Sequence, residues 1–134
     1  MFKIVLLFML GGAIYGGIEI AHRGFTHISM FLVGGLCFVL IGFIRYAIRD
    51  IPVTVQMLLS AAIITLLEFI SGLIVNLAWG LEVWDYSDEP FNLMGQICLR
   101  ASAIWVWLSL AGIYADDFAR RKMFGEKRTA MRIL

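Results

Sequence analysis

Residues 68–100 read EFISGLIVNLAWGLEVWDYSDEPFNLMGQICLR. A carboxylate, Glu68, stands inside an apolar run. A polar, aromatic loop follows, and a second apolar run opens at Gln96 and Arg100. Charges this deep in hydrocarbon are costly, so those that occur are paired or functional. The composition points to lipid as the surrounding medium. Of 134 residues, 61% are apolar and 16% charged, against about 45–50% and about 25% in typical soluble chains.

Outward from this stretch, four apolar runs cover about 4–22, 28–48, 53–80 and 96–115. Each is long enough for a bilayer core, which takes about 20 residues. The fold class expected is all-α, an integral membrane bundle of four transmembrane helices. The third run would be about 42 Å long if straight, so it must tilt, bend or project. The first run is read as a retained helix, because no A-x-A-like cleavage site follows it. Two units result: a transmembrane domain, 1–115, with an outer loop at 81–95, and a basic tail, 116–134.

Within the first run, Gly12 and Gly16 form a GxxxG, read first as helix packing and second as a dimer contact. The connection AHRGFTHIS, 21–29, holds His22 and His27, read as solvated or headgroup-facing. No CxxC and no Cys/His ligand spacing occurs, so no metal and no cofactor is expected. Cys37 and Cys98 read as buried thiols acting as small hydrophobes. No basic stripe with interleaved aromatics appears, so nucleic acid is not an expected partner.

Charge distribution sets the orientation. With four crossings, the N-terminus, the turn at 45–52 and the C-terminal tail share one side. That side holds Lys3, Arg45, Arg49, Arg120, Arg121, Lys122, Lys127, Arg128 and Arg132, nine of the eleven basic residues. The positive-inside rule places both termini in the cytoplasm and the loops 21–28 and 81–95 outside. The basic tail also suits attraction to anionic headgroups.

Depth then defines a candidate site. Glu19, Glu68 and Arg100 each lie 16 residues from a cytoplasmic marker: Lys3, Pro52 and Asp116. At 1.5 Å per residue each sits roughly 24 Å above the inner surface. The faces add Asn76, which shares a stripe with Glu68 and Gly72, and Gln96, which flanks Arg100 with Trp107. The expected site is a buried cluster of Glu19, Glu68, Asn76, Gln96 and Arg100 in the outer third of the membrane. Trp84, Asp85, Tyr86 and Asn92 of the outer loop cap it. One arginine cannot neutralise two carboxylates, so the less well paired one is left to bind a cation or exchange a proton. The structural reading of the same residues is glue, with Arg100 forked onto a carboxylate.

Here the chain resembles a known family. Glu68-x3-Gly72-x3-Asn76, Trp84-Asp85-Tyr86-Ser87, Pro90-Phe91-Asn92 and Gly95-Gln96-Ile97-Cys98 are similar to motifs of the CmpB-like, type IV ABC-transporter family. Tyr15, Glu19, Arg23-Gly24 and Gly34-Gly35 extend the likeness to the first half. The resemblance implies a small multi-helix integral membrane protein. No P-loop GxxxxGK[ST] is present, so ATP hydrolysis by that route is excluded for this chain. The first functional reading is a transport-related or ligand-binding membrane protein of the bacterial inner membrane, partnered by lipid and by further copies of itself. A second is an accessory or scaffold subunit of a larger membrane complex. A third is a membrane enzyme acting on a lipid or envelope precursor, with Asp85, Glu82 and Asp88 as acid–base candidates. No nucleophile–base pair supports that third reading.

Overall fold

The computed structural model describes residues 1–48 and 50–126, the side chain of Tyr46 excepted. Arg49, Lys127, Arg128 and Arg132, with the roles expected of them, lie outside the described residues. The chain is all-α. Helix α1 is Phe2–Arg23, α2 is Ile28–Ala47, α3 is Val53–Gly72 and α4 is Leu99–Phe124. A π-helical segment, Leu73–Ala78, extends α3. Two-residue strands, β1 (Asn92–Leu93) and β2 (Ile97–Cys98), pair antiparallel in the loop before α4.

Among the described residues three helical segments are long and apolar enough to cross a membrane: Phe2–Arg23, Ile28–Arg45 and Val53–Ala78. Their ends follow local chemistry. Gly24 takes a left-handed conformation (φ 81°) that closes α1, as C-terminal glycines do at no steric cost. His27 caps α2, its Nδ1 accepting from the Ser29 N–H at 3.1 Å. This is a more specific use than the solvated role expected of it. Pro52 precedes α3, where its missing N–H has no intrahelical partner to lose. Helix α4 starts at Leu99 rather than near Gln96, because Ile97 and Cys98 are paired to β1. It runs on to Phe124, past the expected limit at 115.

The helices pack as two hairpins, α1 on α2 and α3 on α4, with α2 also touching α3 and α4. Reciprocal glycines set the first hairpin. A Cβ on Gly12 would lie 2.7 Å from the Phe31 carbonyl oxygen, and one on Gly35 2.6 Å from that of Phe8. The backbones are therefore in contact, as small residues allow between helices in lipid. Gly12 of the motif is used within the chain, whereas a Cβ on Gly16 would meet only Thr26 at 3.9 Å and one on Gly17 nothing within 4 Å.

The two ends of the bundle are chemically distinct. At one end Lys3 lies 3.5 Å from Glu126, and Arg45 reaches Asp116 at 2.6 Å and Asp117 at 3.3 Å. Arg120 and Arg121 hold the same two aspartates, at 3.0 and 3.1 Å. Asp116 is fully buried, and Gly42 leaves the space its carboxylate occupies. Arg45 is thus a buried tether between α2 and α4. At the other end Arg23 Nη1 donates to the Val83 carbonyl at 2.9 Å, joining the first turn to the long loop. Between the ends, Cys37, Ile41, Val53, Met57, Ile64 and Ile113 form the core. Both cysteines are free and buried.

Candidate functional site

The site grows from the buried stripe of α3. Gln56, Ser60, Ile64, Glu68 and Gly72 recur every fourth residue and are buried. A regular helix turns such a stripe steadily away from its neighbour, because four residues exceed one 3.6-residue turn. The π-helical segment counters that drift. The Trp79 N–H donates to the Ile74 carbonyl at 2.9 Å, five residues back, and the Leu81 N–H to Val75 at 3.0 Å. The wider turn keeps Asn76 over the bundle. Such segments occur often at functional sites.

Asn76 then organises the loop. Its Oδ1 accepts from the Val83 N–H at 2.7 Å and the Trp84 N–H at 3.4 Å, and its Nδ2 donates to Gln96 Oε1 at 2.8 Å. Gln96 Nε2 donates to the Met94 carbonyl, and the Trp84 indole N–H donates to the Gln96 carbonyl at 3.0 Å. Gln96 fits because residue 72 is glycine; a Cβ there would lie 2.5 Å from Gln96 Oε1. Asn92 knits the tip, donating to the Ser87 and Glu89 carbonyls and accepting from the Gly95 N–H. Asp85 Oδ1 accepts from the Ser87 N–H at 2.8 Å. Hydrogen bonds from Ser87, side chain first and backbone second, hold the Asp85 carboxyl below its usual range. The string WDYSDEPFNLMGQI is therefore a folded cap whose polar members mostly satisfy one another.

Two aromatics of this region reach Glu68. The Tyr86 hydroxyl donates to Oε1 at 2.9 Å and the Trp105 indole N–H to Oε2 at 3.0 Å. Burial, then the charge and hydrogen bond of Glu68, push the Tyr86 phenol above its usual range. Glu68 is 5% exposed. Among the described residues no basic side chain lies within 4.0 Å of it. It borders a cavity of about 180 Å³ whose other walls include Tyr15, Gly34, Cys37, Trp84, Trp105 and Leu108. Tyr15 stacks on Trp105, with ring centroids 5.7 Å apart and planes at 28°.

The expected cluster is brought together in part. Glu68, Asn76 and Gln96 share one end of α3, and Glu19 lies within electrostatic reach of Glu68. Arg100 does not join them. Its side chain is 75% exposed and only 3.7 Å from Glu89 at the surface. Glu19 pairs instead with Arg23, Nε to Oε2 at 2.6 Å. The physical reason is rotation: at 100° per residue Arg100 stands about 140° from Trp105, the face that α4 turns inward. Trp107, placed beside Arg100 by the same spacing, is likewise exposed. Trp105 was missed. The signal for it is the row Trp105, Ser109, Gly112 and Asp116, small or polar residues at helical spacing. Of the loop candidates, Trp84 is buried and Tyr86 touches Glu68, whereas Asp85 and Asn92 hold the cap's own turns. Glu82, Asp85 and Asp88 are exposed. Among the described residues no group of three His, Cys, Asp or Glu is arranged to hold a metal ion.

The model of the family described as "Putative ABC-transporter type IV" matches residues 8–132. The chain belongs to this family. The match covers all four helices of this type IV ABC-transporter family member but the first turns of α1, and so includes Glu68, its aromatic donors and the cap. No curated protein and no solved structure matches this family member.

Proposed function

We propose that this is a four-span, ligand-binding and transport-related membrane protein, with Glu68 as the ligand group beneath an outer cap. The single observation behind it is a buried carboxylate whose donors among the described residues are the neutral Tyr86 and Trp105, bordering a cavity. Such a group is costly in hydrocarbon unless something compensates it. Asn76 and Gln96 act in this reading through the cap, and Glu19 through Arg23, rather than by direct contact with ligand.

In this reading all four helices cross the membrane. Helix α4 has 26 residues and packs along α2 and α3, so it shares their thickness. The charged residues at its two ends, Arg100 and those from Asp116 to Lys122, lower its hydropathy without shortening it. Lys3, Arg45, Arg120, Arg121 and Lys122 gather at one end, which the positive-inside rule puts in the cytoplasm of a bacterial inner membrane. The last turns of α4, Asp116–Phe124, lie at that end. Native mass spectrometry from mild detergent tests the reading. The wild type should carry a bound molecule that Glu68→Gln loses while keeping its fold. A Glu68→Gln protein with the same bound mass and the same behaviour in proteoliposomes would refute it.

A second reading is an accessory subunit of a larger membrane complex, favoured by the lack of a P-loop in a chain of an ABC-transporter family. Stoichiometric capture of a larger membrane protein that carries the nucleotide site would favour it. An enzyme acting on lipid gains no support from the exposed Glu82, Asp85 and Asp88.

A further inference from the structure

We infer that the ligand of this groove is an amphiphile with an ammonium head and an apolar tail, taken sideways from the lipid; this rests on the reading of Glu68 as the ligand group. Charge is the first argument. Tyr86 and Trp105 each use one lone pair of the Glu68 carboxylate, and each oxygen keeps another. Among the described residues no cation fills these positions. Arg23 gives Nε to Glu19 and Nη1 to the Val83 carbonyl, its Nη2 being buried without a hydrogen-bond partner among the described residues, and Arg100 points away at the surface. An anionic head would meet the Glu68 carboxylate, which no basic side chain among the described residues offsets, since Arg23 is on Glu19. A cationic head supplies the missing charge.

The second argument is the lining. Tyr15, Trp84 and Trp105 face the cavity, and the Tyr86 hydroxyl touches the same carboxylate. Aromatic faces attract ammonium groups through the ring quadrupole, most strongly where water is excluded. The remaining wall is almost wholly aliphatic. A sugar or peptide there would leave its polar groups without partners, at a cost of several kcal/mol in an apolar setting.

Shape is the third. A cavity of about 180 Å³ compares with the about 150 Å³ that admits benzene. It takes a head group and the first methylenes, not a whole lipid. Its walls come from α1, α2, α3 and α4; the backbones of α1 and α4 approach little, and beside the cavity the two helices meet through the Tyr15–Trp105 stack, which leaves a gap flanking it. Ile14 and Ile18 on one side of that gap and Leu108 on the other are exposed. The gap is a lateral mouth, and the tail of the amphiphile stays among the lipid chains.

The test uses the full chain in phosphatidylcholine nanodiscs, titrated calorimetrically with empty nanodiscs subtracted. The probes are decyltrimethylammonium, decyl maltoside and decyl sulfate. Saturable binding is expected for the ammonium probe alone. Glu68→Gln should weaken it at least about 30-fold, the lower end for removing one member of a buried charge pair. Glu68→Asp, which keeps the charge, should retain saturable binding. Equal or tighter binding of the maltoside or sulfate overturns the inference, as does an unchanged affinity in Glu68→Gln. Where the ammonium probe fails to bind but native mass spectrometry shows a molecule that Glu68→Gln loses, the ligand class is wrong and the Glu68 site stands. Where the wild type retains nothing either, both fall.

Discussion

Replacing Asn76 by alanine should unlatch the cap while leaving the helical bundle folded. The side chain serves three groups: the Val83 N–H at 2.7 Å, the Trp84 N–H at 3.4 Å and Gln96 Oε1 at 2.8 Å. The 3.4 Å contact is long and is discounted. The other two leave a buried donor and a buried acceptor without partners, at about 1–3 kcal/mol each. Polar contacts within membranes average less, about 0.6 kcal/mol, because the alternative state finds partners too. The cap also lies at the end of the bundle, where water can reach it once open. The lower end of the range is therefore the better figure, roughly 2–3 kcal/mol for the pair. At about 1.4 kcal/mol per tenfold this is roughly a 30- to 140-fold shift toward the open cap. Hydrogen exchange read by mass spectrometry in nanodiscs measures it directly. Amides in 81–96 should lose protection by that factor, with those inside α2 unchanged as the control. Exchange in 81–96 within about threefold of wild type would refute the latch. So would equal acceleration throughout α2, which would make Asn76 a general core residue.

Other expectations concern the frame around the site. Gly35→Ala should lower the thermal midpoint in detergent sharply, since its Cβ would meet the Phe8 carbonyl oxygen at 2.6 Å, whereas Gly17→Ala, with nothing within 4 Å, should leave it unchanged; equal midpoints would contradict the close α1–α2 contact. Arg100→Ala should be within about 0.5 kcal/mol of wild type, as surface changes are, while Arg23→Ala should raise exchange at Val83 by freeing its carbonyl and Glu19. The reverse order would restore Arg100 to the site. Asp116→Asn should destabilise by about 3–5 kcal/mol, because Arg45 and Arg120 stay buried with their shared charge removed. A denaturation midpoint equal to wild type would show those pairs to be dispensable.

The sequence by itself was enough for the all-α class and for apolar runs long enough to cross a membrane. Hydropathy adds up along the chain, so it needs no knowledge of neighbours. Glu68, Gly72 and Asn76 were legible as one stripe because they share a helix and a spacing. The pair Glu19–Arg23 was also legible, four residues apart on one helix face, yet matching depths across helices drew attention to Arg100 instead. Which face of α4 turns inward belonged to the tertiary structure alone. Trp105 and Trp107 are two residues apart and about 200° around the helix, and local composition weighs them equally. Only packing against α1, α2 and α3 selects Trp105, brings it to Glu68 and leaves Arg100 outside. The cap follows the same logic. Its turn residues are visible in the string, but its position over Glu68 depends on a π-helical segment that holds Asn76 in line and on a glycine at 72 that admits Gln96. These are relations between distant parts of the chain, and they exist only once the helices have met.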